Sequence, residues 1–102
     1  MSITFKQLIQ QFIDGAVDGV SGTASNKGNL RIDHNRLIHY NTPILERYGE
    51  KYILNITRYS IQTGQLQKKI KEMIPEAERV DVKRVPADTS ESLSAFIEQT
   101  PV

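Results

Sequence analysis

The residues of this chain best suited to chemistry are cations interleaved with phenols. Arg31, Arg36, Arg47, Lys51 and Arg58 alternate with Tyr40, Tyr48, Tyr52 and Tyr59, and Lys68, Lys69 and Lys71 follow within one further segment. Guanidinium and ammonium groups pair with phosphate, and tyrosine rings stack on exposed bases, so this mixture points to a nucleic-acid surface. The same tyrosines also suit half-buried strand positions with a wet hydroxyl, and no named RNA-binding motif accompanies them.

Catalytic constellations are weaker. His34 and His39 stand five apart across a turn, which is not the i,i+4 spacing of helix-borne metal ligands, and there is no cysteine to complete a zinc site. Ser60 has no nucleophile-elbow sequence around it. Asp33, Glu46 and Glu50 are carboxylates of the kind a magnesium nuclease pairs, but turns and strand surfaces carry such acids routinely. The glycine-rich stretch from Gly15 to Asn29 lacks G-x-G-x-x-G, and Lys27 precedes its last glycine, so it reads as a loop or an irregular edge strand rather than a phosphate cradle. The expectation is a non-enzymatic protein with no cofactor, no metal and no small-molecule substrate.

Those side chains need elements to position them. Thr4 and Gln7 stand at capping-box spacing, with Ile3 and Leu8 as the flanking staple, and Phe5, Leu8, Ile9, Phe12, Ile13 and Ala16 recur with a helical period. Leu30–Ile32 and Leu37–Tyr40 flank a turn-forming Asp33–Arg36 tetrad, while Ile44–Tyr48 and Lys51–Ile56 flank Gly49–Glu50, which predicts two hairpins. Pro43 is expected at a turn or edge, where no ladder donor is needed. Leu66, Ile70, Met73 and Ile74 mark a second helix stopped by Pro75. Arg79–Val85 alternates apolar and charged residues like a half-buried strand, and Asp88 with Glu91 is expected to open a short last helix carrying Leu93, Phe96 and Ile97. The fold class that follows is α+β: an N-terminal helix, a three- to four-stranded antiparallel meander, a second helix, then a strand and a short C-terminal helix. Phe5, Leu8, Phe12, Leu66 and Ile70 are the expected core.

The 102 residues fit one domain spanning 1–102, and the absence of cysteine suits a reducing cytoplasm. No basic segment leads into an apolar run at the amino terminus, and no apolar run approaches the length of a membrane span, so neither secretion nor a membrane partner is expected. The net charge of +1 conceals polarity: successive segments ending at residues 29, 60, 75 and 102 carry 0, +2, +2 and −3. A basic centre suits a polyanion, and an acidic tail suits a basic partner.

Two stretches carry a resemblance. Asn29, Leu30, Ile32, Leu37, Tyr40, Thr42 and Ile44 in the first, and Asn55, Thr57, Tyr59, Ser60, Thr63 and the helix ending at Pro75 in the second, resemble a small uncharacterised domain of phages, plasmids and integrated elements. The likeness covers about half of the chain. Leu45 stands where that domain has a small residue, and Gly64, Gln65 and Leu66 replace a serine-containing stretch together with its histidine. The resemblance implies a mobile-element protein, non-enzymatic and cytoplasmic in a bacterial host, that inhibits a host defence machine. The specific form implied is a type II-A anti-CRISPR protein that blocks Cas9, interfering with guide RNA loading or effector assembly. Its partner would be Cas9 or the guide RNA; the contact expected from the basic and aromatic side chains themselves, not from the resemblance, is Arg31, Arg36, Arg47, Arg58, Tyr59, Lys68 and Lys71. A small single-stranded nucleic-acid-binding protein and a phage structural or assembly accessory are the alternatives.

Overall fold

The computed structural model describes residues 3–23, 25–87, 89 and 91–99. Helix α1 (Phe5–Ile13) begins at a complete capping box. The Gln7 amide donates to Thr4 Oγ1 at 3.1 Å, and the Thr4 amide donates to Gln7 Oε1 at 2.8 Å. Two of the four orphan donors at the helix start are thereby satisfied.

Six strands follow in sheet order β1 to β6: β1 (Asp18–Gly22), β2 (Lys27–Asp33), β3 (Arg36–His39), β4 (Thr42–Tyr48), β5 (Lys51–Asn55) and β6 (Arg79–Val82). The antiparallel meander has five strands where three to four were expected, because the glycine-rich stretch takes the second of its two expected forms, an edge strand. Gly22 holds φ +85° and exchanges both backbone hydrogen bonds with Ile3, and a Cβ there would lie 2.5 Å from the Asn26 carbonyl oxygen. Close backbone packing is what this glycine serves.

Helix α2 (Ile61–Met73) leaves the end of β5 and carries the chain back along the sheet, so β6 starts level with β5 and pairs with it in parallel. A crossover of that length is what parallel pairing requires. The sheet is therefore mixed, with antiparallel pairs from β1 to β5.

Three local expectations need correction. Pro43 lies inside β4 opposite Ile38, not at a turn or edge. The β3–β4 register slips there, β5 pairs with β4 only from Leu45 onward, and the Asn55 side chain donates to the Pro43 carbonyl at 3.0 Å, so no ladder donor is missed. The strand expected to reach Val85 ends at Val82, because the chain turns at Arg84 with φ +59°. The last helix is a 3-10 helix (Leu93–Gln99) rather than one opened by Asp88 and Glu91. Asp88 lies outside the described residues, and the Glu91 amide is held by the Thr89 hydroxyl. The 3-10 helix is fixed instead by Glu46 of β4, whose carboxylate accepts from the Ser92 hydroxyl at 2.6 Å and the Leu93 amide at 3.2 Å.

Apolar residues fill both faces of the sheet. Leu8, Ile9 and Phe12 of α1 and Leu66 and Ile70 of α2 bury against Leu30, Ile32, Leu37, Leu45 and Leu54, with Phe5 packed at the margin. Ile53, Val82, Val85, Leu93 and Phe96 form a second cluster under the 3-10 helix. Adjacent Ile53 and Leu54 serve opposite faces, as the two-residue strand period requires. Among the described residues no helix is long and apolar enough to cross a membrane.

Candidate nucleic-acid interface

The link between β5 and α2 is fastened at nearly every polar residue. Asn55, fully buried, donates to the Tyr59 hydroxyl at 2.9 Å and accepts from the Thr57 amide at 2.9 Å. The Thr57 hydroxyl accepts from the Val85 amide, and the Tyr59 hydroxyl donates to the Val85 carbonyl. Gln67 of α2 reaches back to the carbonyls of Asn55 and Thr57 at 2.7 and 2.9 Å. Ser60 caps α2 by accepting from the Thr63 amide. Arg58 of this link is exposed and makes no hydrogen bond among the described residues.

Beside this link lies a groove of about 590 Å³. Arg58 and Tyr59 of the link and Ile61, Gly64, Gln67, Lys68 and Lys71 of α2 line it. Positions 61, 64, 68 and 71 recur at helical spacing and run parallel to the buried stripe of Thr63, Leu66 and Ile70. Three cations thus face a single concavity with no carboxylate among its lining residues. The Tyr59 ring contributes a surface only, since its hydroxyl is spent inside the protein.

Of the seven residues singled out in the sequence, the fold brings together Arg58, Tyr59, Lys68 and Lys71. Arg47 goes elsewhere: its guanidinium reaches the carbonyls of Phe12, Ala16 and His34 at 2.5, 2.7 and 2.9 Å and lies 4.1 Å over the Phe12 ring. It closes the C-terminal end of α1, where cations stabilise orphan carbonyls. Arg31 is exposed on β2 and donates to the Tyr40 carbonyl at 2.7 Å, and Arg36 stands opposite Glu46 in the β3–β4 ladder. Neither lines the groove.

Sequence reasoning missed Ile61 and Gly64. Both left a signal: an isoleucine out of phase with Leu66 and Ile70, and a glycine inside a helix.

A smaller cavity of about 180 Å³ shares Tyr59 and Ser60 with the groove and is bounded by His39, Tyr40 and Thr63. His39 is buried between the Phe5 and Tyr40 rings, and its Nδ1 lies 3.1 Å from the Thr63 hydroxyl. Loss of hydration pushes its pKa below the ordinary 6.5, which keeps the ring neutral near neutral pH. Ser60 bonds to Thr63 and not to His39, so the two do not form a nucleophile–base pair. His34 sits apart on the β2–β3 turn, 2.8 Å from Asp33. Among the described residues no three His, Asp or Glu side chains converge to hold a metal ion.

Comparison of the chain with protein-family models, curated proteins and solved structures finds no match.

Proposed function

We propose that this protein is a non-enzymatic binding protein that grips the sugar–phosphate backbone of a single-stranded nucleic acid in the groove between the β5–α2 link and α2. One observation carries the reading: Arg58, Lys68 and Lys71 converge on one concave surface that also offers the Tyr59 ring and exposed Ile61. Three cations answer successive phosphates, and the apolar patches answer bases, which a duplex would hide.

The resemblance to mobile-element domains gives the strand an identity. A guide RNA is a single-stranded polyanion before its effector binds it, and the basic groove suits it better than the positively charged heteroduplex channel of Cas9, where like charges repel. In this reading the protein is an anti-CRISPR inhibitor that works in the bacterial cytoplasm before guide loading.

The testing experiment measures fluorescence anisotropy of a short labelled single-stranded RNA against the parent protein and the Arg58→Glu, Lys68→Glu, Lys71→Glu triple variant. Binding by the parent and its loss in the variant are expected. Equal anisotropy curves would overturn the reading. An order-of-addition cleavage assay tests the narrower one: inhibition is expected only when the protein meets the guide before Cas9 does, and undiminished cleavage in either order refutes it.

A further inference from the structure

Two local features of α2 oppose the folding of the protein that carries them. Gly64 occupies a helix interior, where glycine is less favourable than alanine by about 1 kcal/mol. Nothing inside the protein needs the missing side chain, because a Cβ at Gly64 would meet no atom within 4 Å. Ile61 is 85 % exposed one turn earlier, off the buried stripe, so its apolar side chain adds nothing to the core. These two choices are neighbours on one helix face, and both line the groove that Arg58, Lys68 and Lys71 surround. Bare helix backbone open to solvent beside an exposed aliphatic side chain makes a shallow apolar seat, and the cations around it make the rim positive. The groove's volume of about 590 Å³ falls within the roughly 300–1,000 Å³ of small-ligand clefts.

We infer that Gly64 and Ile61 seat the face of one unpaired base, whose flanking phosphates are held by Arg58 and Lys68. The inference rests on the proposed function and adds what that reading leaves open, namely which residues seat a base and that a single base is seated between two held phosphates. A purely electrostatic grip requires neither bare backbone nor an exposed isoleucine. Any base has a flat face, so the seat favours single strands without selecting a sequence. It also predicts an inverted relation between stability and binding, since a side chain at position 64 improves the helix while it covers the bare backbone.

The experiment compares a short single-stranded RNA with an abasic strand of equal length and charge, using the parent, Gly64→Ala, Gly64→Leu, Ile61→Ser and the Arg58→Glu, Lys68→Glu double variant. Gly64→Ala should melt at a higher temperature than the parent. Gly64→Leu and Ile61→Ser should bind the intact strand roughly fivefold or more weakly. The parent should bind the abasic strand weakly to the same degree, and covering the bare backbone should change that value little. Equal affinity of the parent for intact and abasic strands would overturn the inference, as would Gly64→Leu binding like the parent. The double variant separates the two levels. If it loses both strands while Gly64→Leu loses neither, the groove stands and the base seat falls. If it binds both strands unchanged, the groove reading itself has failed.

Discussion

The groove makes a numerical commitment about salt. Each phosphate neutralised on a single strand releases about 0.7 of a counterion, so three cations in contact give a slope of about −2 for log affinity against log salt. Raising salt fourfold should therefore weaken binding about 20-fold. Reversing Lys68 and Lys71 to Glu leaves Arg58 as the one cation in the groove, which lowers the slope to about −0.7 and removes most of the affinity at low salt. Both lysines are exposed and make no hydrogen bond or ion pair among the described residues, so reversal should shift folding stability by no more than about 0.5 kcal/mol at Lys68 and by about 1 kcal/mol at Lys71, which lies in the last turn of α2. The assay is an anisotropy titration at several salt concentrations, with thermal melts alongside. A parent whose affinity is flat with salt, or a double variant with an unchanged slope, would refute the electrostatic reasoning whatever the absolute affinity.

Three further outcomes follow from the fold. Phe12 of α1 is fully buried, so Phe12→Ala should lose about 3–5 kcal/mol in chemical denaturation, and an unchanged midpoint would show that α1 does not carry the core. Arg47→Ala leaves three carbonyls without their charged donor and should lose about 2 kcal/mol or more, and Arg47→Lys should recover only part of this because one ammonium cannot copy the planar fork. RNA affinity of the folded fraction should be untouched in both. Burial depresses the pKa of His39 below 6.5, so below that pH the unfolded chain takes up a proton that the folded chain refuses. Stability should be full above about pH 6.5 and fall as the pH drops from there toward the folded pKa, read as the denaturation midpoint across that window, and a flat profile would count against the buried neutral ring.

Periodicity was enough to read the two helices, both hairpins and the main core, because each rests on local signals: the Thr4–Gln7 box, the Gly49–Glu50 turn, the Leu66–Ile70 stripe. What it could not supply was long-range. The edge strand β1 is held by Ile3 and β2 rather than by its own glycine-rich composition. The parallel pairing of β6 depends on where α2 delivers the chain. Glu46 looked like any strand carboxylate, yet it holds Ser92 and Leu93, 46 and 47 residues further on, at the start of the last helix. The candidate site divides the same way. Lys68 and Lys71 could be placed from helix phase, but Arg47 and Arg58 are indistinguishable by type and spacing, and only tertiary packing sends one to the end of α1 and the other to the groove.

The same division runs through the resemblance to mobile-element domains. The residues that carry its second stretch, Asn55, Thr57, Tyr59 and Ser60, each make a hydrogen bond that shapes the β5–α2 link or starts the helix. They are scaffold. Arg58, set among them but held by none of them, points outward, and Gly64 is among the positions where the chain departs from the pattern. A motif built of such residues transmits the geometry of a link, which many partners could exploit, and carries little about which partner does. In the proposed reading, binding therefore rests on the outward residues set among these hydrogen-bonded ones. Substituting Arg58 while keeping Asn55, Thr57 and Tyr59 intact separates the two: the link should hold its shape, and any binding that depends on the groove should fall.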